Sequence, residues 1–190
     1  MQKIALRILT LGFAFATGCR TAAQSSSPRS GTATDVPVSE IHAALEKTAS
    51  AAVSDQQLRV VSIDGEYNVG IGVLHRAKTD GRTGSGALAH GRITEVYQII
   101  SGNGTLVTGG TLANPKPSTA DSEIVKVLAG PSTSGSAIQN GVSRKVGPGD
   151  MIVIPPNTPH GFSEITSDQI VYTVVRVDPQ KVLPAGYVLK

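Results

Sequence analysis

The sequence predicts an all-β fold made of many short strands, and two observations indicate it. From Leu58 onward, short runs rich in apolar and β-branched residues are separated by Gly, Pro, Asn and Asp, as in sandwiches and barrels. The composition is 39% hydrophobic, with 21 Gly, 11 Pro and no Trp, which suits tight turns better than long helices. The predicted runs are 58–63, 67–77, 86–90, 93–100, 104–108, 123–128, 138–146, 151–154, 160–165 and 169–177.

A chain of 190 residues is long enough for one domain with its own core and too short for two ordinary domains with linkers. We expect residues 1–18 to be a signal peptide and 19–36 a flexible tether rich in Ser, Thr, Ala and Gly. Residues 37–57 are predicted to hold a short helix and a lead-in. The β domain is predicted to span 58–190.

The signal peptide is predicted from charge and hydropathy. Lys3 and Arg7 precede an apolar run at 8–16, which ends in small residues. The run is too short to remain as a membrane span, for which about 20 apolar residues are needed. Without residues 1–18 the chain keeps 15 basic and 14 acidic residues. The sequence contains no cluster of Lys and Arg with interleaved aromatic residues, so nothing in it indicates nucleic-acid binding.

Cys19 is the only cysteine and cannot form an internal disulfide. The segment 16–19, Ala-Thr-Gly-Cys, resembles a bacterial lipobox, which implies that Cys19 carries a lipid. The alternative is an ordinary cleavage site near this position. We therefore expect an exported, periplasmic protein that contacts the membrane only through a lipid on Cys19.

A short helix is predicted around 38–47, with Ser39 as its N-cap. Ile41 and Leu45 share one face, which would pack on the β domain. His42 lies off that face and is interpreted as a solvated helix residue. Two long loops rich in Gly, Pro, Ser and Thr, at 79–86 and 109–122, are predicted to form the rim of a binding mouth.

Two constellations predict metal-ligand chemistry. In the first, a turn after His90 would bring its imidazole beside the carboxylate of Glu95 on the next strand, with both facing the interior. In the second, Gly149, a strand and a Pro-fixed corner at Pro155 deliver His160 onto a further strand.

Together these segments resemble the two motifs of the cupin family, G(X)5HXH(X)3-4E(X)6G and G(X)5PXG(X)2H(X)3N. Asn157 stands where the second motif has Gly, and Asn tolerates positive φ better than most residues. The resemblance covers roughly residues 58–178. It implies a cupin-type double-stranded β-barrel, or jelly-roll, of six to eight strands that holds a metal ion through His90, Glu95 and His160.

Two further departures from the family motifs affect possible ligand positions. Leu88 replaces the first His of HXH, and Glu164 occupies the motif-2 Asn position. Two His and one Glu still suit one divalent transition metal ion, namely Fe, Mn, Zn or Ni.

His75 is a candidate replacement ligand or proton-transfer residue. Val69, Ile71 and Val73 define an apolar strand face that continues to His75, and this face is predicted to point into the barrel. The alternative, a core-edge His bonded to backbone, is left open.

Alternation also places Tyr97 on the Glu95 face and Phe162 on the His160 face, either as substrate contacts or as plain core aromatics. Tyr97 is the second catalytic candidate. Arg176 is interpreted as an exposed strand residue rather than an interior anion clamp.

The cupin fold does not determine the reaction. The leading hypothesis is a metal-dependent enzyme acting on a small oxygen-rich or aromatic molecule, by dioxygenase, isomerase or lyase chemistry. The alternatives are a non-catalytic module that binds a small ligand or metal, and a barrel that its metal only stabilises. Expected partners are a small molecule and, as an open alternative, a second copy in a homodimer.

Overall fold

The structure is a computed structural model that describes residues 31–80 and 86–190. The predicted signal peptide, Cys19 and most of the tether lie outside the described residues. Helix α1 spans Val38–Lys47, and Ile124–Leu128 forms a π-helical turn. Strands β1 to β13 are, in order, Val53–Ile63, Tyr67–Ala77, Ala87–His90, Thr94–Ser101, Gly104–Thr108, Thr111–Ala113, Lys116–Pro117, Ser132–Gly135, Ala137–Gln139, Val142–Val146, Met151–Ile154, His160–Ile165 and Gln169–Asp178.

The strands form two main antiparallel sheets. One has the order β1-β2-β13-β4-β11 and the other β10-β5-β12-β3-β8-β7, while β6 and β9 form a small separate pair. One hydrophobic cluster joins the inner faces, with Leu74 and Tyr97 from the five-stranded sheet and Leu106 and Phe162 from the six-stranded sheet. The predicted all-β, cupin-type double-sheet fold with a short N-terminal helix is thereby confirmed.

Alternation along β4 decides which side chains enter the barrel. Glu95, Tyr97 and Ile99 are 1%, 3% and 2% exposed, whereas Gln98 and Ile100, on the alternate positions, point to solvent. When one face of a strand is buried and the other is exposed, the alternation of apolar and polar residues shows which side chains point into the core. The predicted inward orientation of Tyr97 is correct, as is that of Phe162 on β12.

Strand β2 has the opposite orientation to the one predicted. Val73 belongs to an outer hydrophobic cluster with Ala44 of helix α1, Leu58 and Val171. The helix covers this side of the sheet, so both faces of β2 are buried and apolarity alone cannot distinguish them. The inner face of this strand carries glycines instead.

Helix α1 also begins differently from the prediction. Pro37 precedes its first residue, and no side chain forms a cap hydrogen bond at this end. Ser39 lies inside the helix, while the Pro37 carbonyl accepts the amide hydrogens of Glu40 and Ile41. Ile41 and Leu45 do pack against the outer cluster, as predicted, and His42 is exposed.

The apolar run at 123–128 was predicted as a strand, and this is wrong. Its residues form the π-helical turn, whose Leu128 packs with Ile93 and Ala129. A short apolar run cannot be distinguished from a buried helical turn by periodicity. The loop predicted at 109–122 contains the short strands β6 and β7. No helix within the described residues is long and apolar enough to cross a membrane.

Candidate metal centre

Three buried side chains converge where the two sheets meet at one end of the barrel. His90 ends β3, Glu95 lies at the start of β4, and His160 begins β12. They are 6%, 1% and 4% exposed, and one ligand atom from each lies within 4.8 Å of the others. The sequence therefore identified the residues that the fold brings together here.

Backbone contacts explain how the two motif segments meet. The amide of Asn157 donates to the carbonyl of His90 over 2.7 Å, which ties the corner before His160 to the end of β3. Asn157 has φ +61°, a value that Gly adopts freely and Asn tolerates. The replacement of the motif Gly by Asn therefore preserves the corner.

The ligand atoms that face one another are imidazole nitrogens and a carboxylate oxygen. Oε2 of Glu95 lies 3.3 Å from Nε2 of His160 and 3.6 Å from Nε2 of His90. Ligand bonds of about 2.0–2.2 Å place neighbouring donors of one ion about 3–3.5 Å apart. The distance from Glu95 to His160 falls within that range, and the distance from Glu95 to His90 lies slightly above it.

The other ring nitrogen of His160 is committed to the backbone. Its Nδ1 lies 2.9 Å from the carbonyl oxygen of Thr158. A carbonyl can only accept, so Nδ1 must carry the hydrogen. In the neutral ring, Nε2 then presents its lone pair to Glu95.

His90 is held in the same tautomer through a serine. The Ser132 hydroxyl donates to the Gly130 carbonyl over 2.8 Å, so it accepts from Nδ1 of His90, 2.7 Å away. Nε2 of His90 therefore also presents a lone pair. An outer partner that fixes the ring in this way is typical of metal-ligating histidines.

These contacts leave two lone pairs and a carboxylate oxygen facing one another in a buried space. A single proton can be shared by only one nitrogen–oxygen pair, whereas a divalent cation accepts electron density from all three atoms. Two imidazoles and one carboxylate also suit Fe, Mn, Zn or Ni. The residues present therefore fit a transition metal ion.

The charge states support the same conclusion. Burial lowers the pKa of His90 to about 4, so its ring is neutral at pH 7. Burial alone would raise the pKa of Glu95, but interactions with His90, His160 and Arg176 hold it well below its usual value. The site therefore presents an ionised carboxylate.

Tyr97 adds a hydroxyl to this group. Its O–H donates to Oε2 of Glu95 over 3.0 Å, and its ring lies edge-on to His160 with centroids 6.1 Å apart. Burial, followed by the charge of Glu95, raises the pKa of Tyr97 well above its usual value. Its hydroxyl therefore stays protonated and acts as a donor.

Arg176 was interpreted as exposed, and this is wrong. It is 1% exposed, and its Nε donates to Oε1 of Glu95 over 3.0 Å. Arg176 stands at alternate positions of the strand with the core residues Tyr172 and Val174. Because alternate residues of a strand share a face, this spacing could have predicted that Arg176 points inward. Sequence reasoning also missed Ser132, for which no motif gave a signal.

His75 does not join the cluster, so the prediction that it completes the site is not supported by its placement. Its Nε2 donates to the carbonyl of Ala51 over 2.9 Å. The residue follows the orientation of Val73, toward the helix-covered side of β2. The structure matches the alternative of a core-edge His bonded to backbone.

Leu88 lies where an additional ligand would be expected. It pairs with His160 across the β3–β12 ladder and shares a strand face with His90 by alternation. Glu164, at the other departure from the motifs, is exposed. The described residues of the centre thus supply three ligand side chains.

A cavity of about 670 Å³ lies against the outer side of the centre. Residues of the 109–122 loop form much of its wall, together with Val125 of the π-helical turn and Ser132. The described residues that line it include no ionisable side chain. Ser132 connects the cavity to the centre because its hydroxyl also holds the His90 ring.

Comparisons with known proteins give one partial sequence match. Residues 127–185 match the AraC-like ligand binding domain. No curated protein matches the chain significantly.

Similar solved structures include a Bacillus halodurans protein, at 14% identity over 75% of this chain and 82% of that one, with a TM-score of 0.41. A cupin protein from Bacteroides fragilis is 16% identical over 63% and 72%, with a TM-score of 0.37. The DMSP lyase DddQ from Ruegeria pomeroyi is 13% identical over 72% of this chain, with a TM-score of 0.41. The chain spans about half the length of that lyase, 51%.

At these TM-scores the fold assignment rests on the strand order and the two ligand-bearing segments. The strand order and the convergence of the three ligand side chains are observed directly in this chain and do not depend on the similar structures. The partial sequence match adds a similarity to the AraC-like ligand binding domain over residues 127–185 alone.

Proposed function

We propose that this protein is a metal-binding cupin whose single divalent transition metal ion acts on a small oxygen-rich or aromatic molecule. The observation that carries the proposal is the convergence of three acceptor atoms from His90, Glu95 and His160. Both rings are fixed through Nδ1, so their Nε2 atoms are available for an ion. Fe, Mn, Zn and Ni all suit this ligand set.

The number of ligands favours catalysis over a purely structural ion. Structural sites of zinc are closed by four protein ligands, whereas catalytic sites keep a position open. Here Leu88 provides an apolar side chain where the cupin motif has a further His. When bound, the ion would supply Lewis acidity or a redox centre for a small molecule.

Residues of the chain would perform the remaining tasks. Arg176 orients the carboxylate of Glu95 through Oε1. Tyr97 donates its hydroxyl hydrogen to Oε2 of Glu95 and is our candidate for proton transfer to a bound molecule. Dioxygenase, isomerase and lyase chemistry are all compatible with this arrangement.

A non-catalytic ligand-binding module is the second candidate, and the neutral cavity favours it. A molecule bound there would touch Ser132, behind the His90 ring, rather than the Nε2 atoms. The partial match to an AraC-like ligand binding domain also supports this candidate. The lining favours an uncharged molecule, since no described side chain there could pair with an ion.

Metal titration of the full chain tests the proposed function. After chelation, we expect one Zn, Mn, Fe or Ni ion to bind per chain. Glu95→Gln should abolish most binding, while Glu164→Gln, which changes an exposed Glu on another barrel strand, should not. Unchanged stoichiometry and affinity in Glu95→Gln would refute the site.

Two further assays separate the candidates. Oxygen uptake or product formation on candidate substrates, present only with metal, supports the enzyme. Thermal stabilisation by an uncharged ligand that persists after chelation, without turnover, supports the binding module.

We also propose that the chain is exported and anchored by a lipid on Cys19. The basic residues before the apolar run and the small residues before Cys19 support this. Cys19→Ser should move the protein from the membrane to the soluble fraction. Mass spectrometry of the mature N-terminus checks the claim, and an unmodified start at another residue would contradict it. The homodimer stays a prediction.

A further inference from the structure

A row of polar side chains crosses the inner face of the five-stranded sheet behind the metal centre. Asp55 and Gln57 come from β1, Arg176 from β13 and Glu95 from β4. Gln57, Glu95 and Arg176 are each 1% exposed. A buried charge of this kind is costly unless every partner is in place.

The guanidinium of Arg176 has a different partner at each nitrogen. Nε donates to Oε1 of Glu95 over 3.0 Å, and Nη1 donates to Oε1 of Gln57 over 2.7 Å. Nη2 donates to Oδ2 of Asp55 over 2.5 Å. Three contacts in one plane fix both the position and the rotation of the group.

These contacts determine how Glu95 presents its carboxylate. Because Oε1 is occupied by Arg176, Oε2 is the oxygen that faces Nε2 of His90 and Nε2 of His160. Rotation of the carboxylate would break its bond to Arg176. One oxygen is therefore held toward the ion and the other away from it.

The sequence of β2 makes room for this arrangement. Gly70 pairs with Arg176 in the ladder between β2 and β13. Gly72 is the next residue of β2 on the face that points into the barrel. A Cβ on Gly70 would lie 2.5 Å from Nε2 of Gln57, and one on Gly72 would lie 3.3 Å from Nη1 of Arg176. A larger residue at position 70 would push against Gln57, which anchors Arg176, and one at position 72 would press on the guanidinium of Arg176 itself.

Asp55 uses one of its two carboxylate oxygens to hold Arg176. Its Oδ2 binds Arg176, whereas its Oδ1 has no hydrogen-bond partner among the described residues.

We infer that Arg176 is a positioning residue of the metal centre, held by Asp55 and Gln57 so that it presents Oε2 of Glu95 to the ion. The inference rests on the proposed metal function and extends it to residues that touch no ion. An outer partner of a ligand typically contributes about 10- to 100-fold to metal affinity. We expect the same range for Arg176.

Co(II) binding to the full chain tests the inference, with affinity and the visible absorption spectrum as readouts. Arg176→Met should weaken Co(II) binding about 10- to 100-fold and alter the spectrum, because the carboxylate loses its fixed orientation. Arg176→Lys should recover part of the affinity. Arg144→Met, on an exposed position of β10, is the matched control and should change neither readout.

A second variant covers the case in which Arg176→Met does not fold. Asp55→Ala removes one anchor, keeps the Arg176–Glu95 contact and should give a smaller change of the same kind. Unchanged Co(II) affinity and spectrum in whichever of these variants folds would overturn the positioning role alone. Failure of the wild-type chain to bind any metal would overturn the proposed function, and this inference with it.

Discussion

His90 and His75 are both buried histidines on barrel strands, 6% and 2% exposed, yet they are placed for different tasks. His90 uses Nδ1 for its outer contact to Ser132 and points Nε2 at Glu95. His75 uses Nε2 to bind the carbonyl of Ala51. Burial therefore does not distinguish a candidate ligand from a core residue, whereas the partner of each ring nitrogen does.

The largest expected effect is the loss of metal when a ligand of the centre is removed. His90→Ala or His160→Ala should remove most of the bound metal, since two remaining ligands hold an ion poorly. Inductively coupled plasma mass spectrometry of the purified full chain measures this. His42→Ala, a change at an exposed His, is the control, and equal metal content in all three variants would contradict the site.

Ser132→Ala should have the next largest effect, because it removes the acceptor that fixes the His90 tautomer. We expect metal affinity to fall about 10- to 100-fold while all three ligands remain. Isothermal titration of the apo protein measures the change. Ser134→Ala, on the same strand, provides a control, and an affinity equal to wild type would show that the tautomer needs no support from Ser132.

Leu88→His restores the residue that the cupin motif has at this position. The new imidazole would face the interior beside His160, and we expect metal affinity to rise by about an order of magnitude. Any turnover should fall, since the open position is filled. Affinity that is unchanged or lower would indicate that Leu88 does not border the ion.

His75→Ala should produce the smallest change in the metal centre and a measurable change in stability. Metal content should stay at the wild-type level. Loss of the Ala51 contact removes one hydrogen bond at a half-buried carbonyl, which costs about 0.5–1.5 kcal/mol in the free energy of unfolding. Urea unfolding and metal analysis on the same sample check both parts, and a drop in metal affinity would return His75 to the centre.

Side-chain alternation was informative only where a strand is buried on one face. On β4, exposed Gln98 and Ile100 alternate with buried residues, so Tyr97 could be placed beside Glu95. On β2, helix α1 covers the outer face, so Val69, Ile71 and Val73 gave the wrong direction for His75. The glycines at 70 and 72, which mark the inner face, were the better signal.

The sequence alone indicated the short-strand β fold and, through a local turn, the proximity of His90 and Glu95. That His160 joins them was implied by the resemblance to the two cupin motifs. Only the tertiary structure decided the outer shell of the centre, namely Ser132, Arg176 and its anchors. These residues reach the ligands across strand pairings that join positions far apart in the chain, such as Arg176 with Asp55. Local patterns carry no information about pairings of that kind, since many registers satisfy the same alternation.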